Sequence, residues 1–101
     1  MQGSRSNSIL QDKEKCCYIT RLADVPLHKH HIYFGTGARK ISDKNGFWVW
    51  LLPALHNQTA YSVHGRDGRA LDLRLKKECQ QKYEESHSKE EFVQLIGRNY
   101  L

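Results

Sequence analysis

Two short strand-like runs, Leu27 to Phe34 (LHKHHIYF) and Phe47 to Leu52 (FWVWLL), set the narrowest limit on what this chain can fold into. Each is β-prone through its Ile, Val and aromatic content, and each ends in a breaker: Gly35-Thr36-Gly37 after the first, Pro53 after the second. The second run is apolar at every position, which predicts the most buried strand; its rings could stack on bases, but with both faces apolar the expectation is core packing. Pro53 suits the first turn of a helix, so His56 and Asn57 are expected on a helix that follows directly. The class expected is α+β.

Histidine is concentrated in the same stretch. Five of the six histidines, His28, His30, His31, His56 and His64, fall between Leu27 and His64. Their spacing is too dispersed for a zinc finger. Neighbours on a regular strand point to opposite faces, so His30 and His31 can serve one site only at a strand end or a bulge, and the glycines after Phe34 offer such an ending. On an unbroken helix His56 and His64 would stand about 12 Å apart, so sharing one ion requires the helix to stop between them, near Tyr61-Ser62. His28 is read as a surface or supporting residue, and His87 as a polar residue beside a helix cap.

The whole chain has 101 residues, enough for one domain with a modest core, so a ligand must lie largely across its surface. Sixteen Lys and Arg against eleven Asp and Glu give a net charge of +5, which favours an anionic partner such as nucleic acid. No run approaches the ~18 apolar residues of a membrane span, and Met1 to Gln11 lacks the apolar core of a signal peptide, so the expected compartment is the cytoplasm, without a membrane partner. Three cysteines, two of them adjacent, do not form a disulfide framework and are read as reduced.

The flanking segments read as support. Residues 1–14 are polar apart from Ile9 and Leu10 and are expected to form a flexible leader, with one domain over 15–101. Cys16 to Thr20 is β-prone, and Arg21 to Pro26 reads as a turn. Arg39 and Lys40 set two cations beside the glycine turn; that loop could embrace a phosphate or be ordinary surface. Ser42 to Gly46 reads as a second tight reversal, on the Asn-Gly pair. Gly65 to Gly68 is a loop, and Arg69 to Glu85 a long helix with Leu71, Leu75, Cys79 and Tyr83 along its buried face. Arg69 and Lys76 then fall away from that face, toward solvent. Ser88 and Glu91 form a capping box for a last helix that buries Phe92, Leu95 and Ile96 and ends at Gly97.

The pieces HHIYFGTGARK, LLPALHN, VH and the ending EEFVQLIGRNYL, in that order, resemble a small phage- and prophage-encoded family of HNH-type proteins over Cys16 to Leu101. The resemblance implies a ββα-metal (HNH/His-Me finger) core with C-terminal helices, one divalent ion, and nicking or cleavage of DNA in a bacterial host. His30 matches the first metal ligand, His31 the general base and His56 the helix ligand; His64 matches a recurring histidine. Mg²⁺ or Mn²⁺ would serve catalysis, and Zn²⁺ or Ni²⁺ would bind nitrogen ligands more tightly and co-purify. Arg39, Lys40, Arg66, Arg69 and Lys76 are the expected nucleic-acid contacts.

The chain departs from the family pattern in two respects. The two cysteine pairs that hold a structural zinc in relatives are reduced here to Cys17 with Thr20, and to Leu52 with Leu55. One thiolate cannot hold a tetrahedral zinc, so no structural four-cysteine zinc site is expected and the leucines should pack. The strand Asn would fall near Phe47, leaving Asn45, Asn57 or a backbone carbonyl to hold the base. These departures leave room for another class of function, a weak HNH scaffold that binds DNA in recombination or binds a host defence protein, and for a purely structural metal-stapled domain. A homodimer stays open, since one metal centre makes one nick.

Overall fold

In the computed structural model, which describes residues 7–11, 14–35 and 37–101, the two runs pair as β1 (His28–His31) and β2 (Trp48–Leu51) in an antiparallel hairpin. Opposed residues are His28 and Leu51, Lys29 and Trp50, His30 and Val49, His31 and Trp48. Between the strands lies α1 (Ala38–Asn45); after them come α2 (Pro53–His56), α3 (Arg69–Tyr83) and α4 (Lys89–Ile96). The described residues thus form a small α+β domain with a two-stranded sheet and four helices. No helix among them is long and apolar enough to cross a membrane.

Alternation sorts the hairpin. Val49 and Leu51 point inward and are fully buried, joining Ile32, Phe47, Leu75, Cys79 and Phe92 in the core. Core packing of the rings in Phe47–Leu52, expected to be the most buried strand, holds for Phe47 but not for Trp48 and Trp50, which are half-buried on the outer face; Leu52 is half-buried as well. Tyr33, Phe47 and Phe92 meet edge to face, with Tyr33 5.5 Å from each of the other two rings. Truncating Phe92 to alanine at this junction should cost about 3–5 kcal/mol.

Helix α1 replaces the expected reversal at Ser42–Gly46. Ser42 is buried, and its hydroxyl bonds both the N–H and the carbonyl of Tyr33, which pins the helix against the end of β1. Asn45-Gly46 ends this helix instead of making a hairpin turn: Gly46 adopts φ 75°, and a Cβ there would collide with the Asn7 carbonyl. The strand expected at Cys16–Thr20 is a turn. Arg21 N–H donates to the Cys17 carbonyl at 2.7 Å, and Arg21 itself has φ 68°.

A flexible leader over 1–14 does not hold for residues 7–11; residues 1–6, 12 and 13 of that segment lie outside the described residues. Residues 7–11 run beside β2, with Ile9 N–H donating to the Gly46 carbonyl at 2.9 Å. Gln11 is buried, accepting from Trp50 N–H at 2.8 Å and donating to the Cys16 carbonyl at 2.7 Å. This segment occupies a strand edge that would otherwise present unpaired backbone groups.

Helix α3 buries Leu75 and Cys79 with Leu71 and Tyr83 packed at the core margin, as the four-residue spacing predicts. Gln80 is also fully buried, and its side-chain carbonyl accepts from Tyr100 N–H at 2.8 Å, tying down the C-terminal residues. The capping box of α4 is formed on both sides, Glu91 N–H to Ser88 at 3.0 Å and Ser88 N–H to Glu91 at 2.8 Å. Leu52 and Leu55 pack against the core.

Candidate metal centre

Three separate stretches of chain bring three histidines together. His30 points inward from β1, opposite Val49, and is 1 % exposed. His56 is the last residue of α2, which has only four residues because Asn57 swings to φ −153° and leaves the helical region. The expected break near Tyr61-Ser62 therefore comes earlier, and Asn57 caps the helix rather than lying on it. The chain then doubles back: Val63 N–H donates to the Leu55 carbonyl at 2.8 Å and His64 N–H to the His56 carbonyl at 3.2 Å. The return is tight enough to require glycine at position 68, where a Cβ would fall on the Ser62 carbonyl.

One ring nitrogen from each of His30, His56 and His64 lies within 4.8 Å of the other two. The ring centroids are 5.2 Å apart for His30–His56, 5.3 Å for His30–His64 and 4.9 Å for His56–His64. Both ring nitrogens of His30 are buried without a hydrogen-bond partner. A buried imidazole so placed is costly unless something binds it. Burial, reinforced by His56 and His64, lowers the His30 pKa from 6.5 to about 3; burial and His64 lower that of His56 to about 4. These two rings are neutral at neutral pH, the form in which imidazole coordinates a metal.

The surroundings orient this cluster. Nδ1 of His28 lies 3.0 Å from Nδ1 of His56, which leaves Nε2 of His56 to turn toward an ion. Phe34 lies edge-on to His64, centroids 4.9 Å apart, and 6.0 Å from His30. Three imidazole nitrogens fit a borderline metal such as Zn²⁺ or Ni²⁺ better than Mg²⁺, which prefers oxygen.

His31 points the other way along the strand, yet its edge reaches the same open cleft of about 340 Å³, lined also by Lys29, Arg39 and Asn57. Its Nε2 lies 3.3 Å from a carboxylate oxygen of Asp43, which also pairs with Lys29. The Lys29 hydrogen bond, helped by His31, holds the Asp43 carboxyl below its ordinary pKa. Asp43 thus stands where Asn45, Asn57 or a backbone carbonyl is expected beside His31. Asn45 instead donates to the Ile41 carbonyl at 2.8 Å and faces a separate hollow with Tyr83 and His87. Asn57 borders the cleft, but no side-chain bond joins it to His31 among the described contacts.

The expected nucleic-acid contacts divide. Arg39 lines the histidine cleft, and Lys40 lines an adjoining hollow of about 280 Å³ with Lys29, His31, Arg39 and Asp43. Arg66, exposed and 3.5 Å from Asp67, and Arg69, exposed at the start of α3, line neither. Lys76 does not face solvent: it pairs with Asp72 at 2.8 Å, its side chain 14 % exposed, with its ammonium 4.6 Å from the Phe34 ring centroid. His87 stacks on Tyr83, centroids 4.0 Å apart, and takes no part in the histidine cluster.

Comparison with protein-family models, with curated proteins and with solved structures finds no match to this chain.

Proposed function

We propose that the chain is a metal-dependent endonuclease of the HNH type, with a ββα-metal core, that hydrolyses or nicks phosphodiester bonds in DNA. The observation that carries the reading is His30, a buried imidazole with no partner for either nitrogen, standing within ligand distance of His56 and His64. His30, His56 and His64 would hold the ion, with His28 fixing the ring of His56. A divalent ion held there supplies positive charge to the phosphate and to the departing oxygen.

The remaining work belongs to side chains. Asp43 can accept from His31 Nε2, which would leave the lone pair on Nδ1 to act as a general base for water. Arg39 and Lys40 stand beside it to meet the phosphates flanking the scissile bond. A carboxylate held ionised by Lys29 is a stronger orienting group than the amide it replaces, which supports an active centre over a degenerate scaffold.

The test is nicking of supercoiled plasmid in Mg²⁺, Mn²⁺, Ni²⁺ and Zn²⁺, with His31→Ala as the comparison. A rate lower by about 10²–10⁴ in the variant is expected. Equal rates would remove the mechanism, and an absence of nicking in every metal by the wild type would remove the activity.

A further inference from the structure

On the outer face of the hairpin, Lys29 and His31 share the surface with Trp50 and Trp48, their register partners. A two-stranded sheet with one face on the core ordinarily presents polar residues on the other. Here both outward positions of β2 are tryptophan, half-buried, with their rings edge to face and centroids 5.4 Å apart. Cations accompany them: the Lys29 ammonium lies 4.5 Å from the Trp48 centroid, and that of Lys15 4.7 Å from the Trp50 centroid. Lys29 also holds Asp43, the partner of His31, and lines the histidine cleft, so it links this face to the cleft.

We propose that this face is a stacking platform for an unpaired nucleic-acid strand, its bases against Trp48 and Trp50 and its phosphates on Lys15 and Lys29. Flat aromatic surface flanked by positive charge suits a strand with an exposed base face beside each phosphate, whereas an intact duplex hides its base faces and offers only backbone and groove edges. Lys15 can meet an incoming phosphate directly, and Lys29 can do so with the N–H groups that its pairing with Asp43 does not use. On the nuclease reading above, the bond presented to His31 then lies in a single-stranded, frayed or branched segment.

Trp48 and Trp50 are the only tryptophans in the sequence, so intrinsic fluorescence reports this face alone. The experiment titrates the full chain with oligothymidylate and with a blunt duplex of equal length, in chelator so that no turnover occurs. Quenching by the single strand is expected, at an affinity about tenfold above that of the duplex and falling with salt. Trp50→Phe, checked for folding by circular dichroism, should weaken single-strand binding severalfold and leave duplex binding unchanged. Equal or tighter duplex binding overturns the proposal, as does single-strand binding that leaves the fluorescence unaltered. Because no metal is present, a failure of plasmid nicking leaves this result standing, and the two readings fail separately.

Discussion

His30 and His31 are joined by one peptide bond, yet they occupy opposite sides of β1. His30 is sealed inside with both nitrogens unpartnered, among two other imidazoles. His31 lies half-buried on the outer side, its Nε2 committed to Asp43. On the proposed reading, one residue of strand alternation would separate a ligand from a base: the inner position keeps water from a nitrogen that an ion can claim, and the outer position sets a carboxylate beside the other ring. Both reach one cleft because β1 ends at His31, so its last side chain can lean over the strand end. The strand expected to run from Leu27 to Phe34 and to end at the glycines ends earlier, at His31.

The strongest way to break this division is a pair of substitutions at the two neighbours. His30→Ala should weaken binding of Zn²⁺ or Ni²⁺ about a hundredfold or more, since losing even supporting residues around a metal costs 10–100-fold. His31→Ala should leave metal affinity within about twofold while removing nicking. Calorimetric titration of both variants checks this, and a large loss of metal binding in His31→Ala would place both residues on the ion.

A second test exploits burial on the inner side. The folded pKa values of His30 and His56, about 3 and about 4, lie below the ordinary 6.5. Protonation therefore opposes folding: the metal-free protein has its full stability above pH 6.5 and loses it as the pH falls toward those lower values. For His30 alone the loss by pH 4.5, two units below 6.5, is on the order of 3 kcal/mol. Thermal melting in chelator between pH 7.5 and 4.5 should show the decline, and His30→Leu should flatten it. A slope unchanged in that variant would assign the titration to other groups.

Much of this arrangement was legible where the signal is local. The Ser88–Glu91 box, the Leu71–Leu75–Cys79–Tyr83 spacing and the Pro53 start each depend on residues within a turn or two, and each appears as read. The misreadings share a physical cause, a distant partner that overrides local preference. Ser42 to Gly46 has turn chemistry, but the bonds from Ser42 to Tyr33 support a helix there, and so Asp43 arrives beside His31. CCYIT is β-prone, yet Gln11 and Tyr18 engage Trp50 from a turn and a bend. Lys76 stands only about 80° from the centre of the buried face of α3; Phe34 and Tyr100, from other elements, extend that face over it. Charge pattern alone could not distinguish Arg39, which lines the cleft, from Arg66, which does not.

The role of Asp43 predicts a smaller effect. Asp43→Asn keeps an acceptor near His31 but removes the charge and the pairing with Lys29. Nicking should fall about tenfold with metal affinity unchanged, and nitrogen NMR of His31 should show the proton redistributed from Nε2 to Nδ1. Retention of the wild-type tautomer would make Asp43 a partner of Lys29 alone.

The smallest effect separates the outer side of the hairpin from helix α3. Arg39 shares the cleft with His31, while Arg69 lies exposed at the start of α3 and lines neither hollow. A phosphate contact contributes about 0.9 to the salt slope of duplex binding and about 0.7 for a single strand. Arg39→Ala should therefore lower that slope by just under one unit and weaken binding alike at every sequence, because a backbone contact positions without reading bases. Arg69→Ala should change neither quantity, since its charge lies away from the path that passes His31. Binding measured across a salt series for both variants decides the matter: a loss of slope in Arg69→Ala equal to that in Arg39→Ala would extend the nucleic-acid path over the start of α3 and end the confinement of binding to the His31 side.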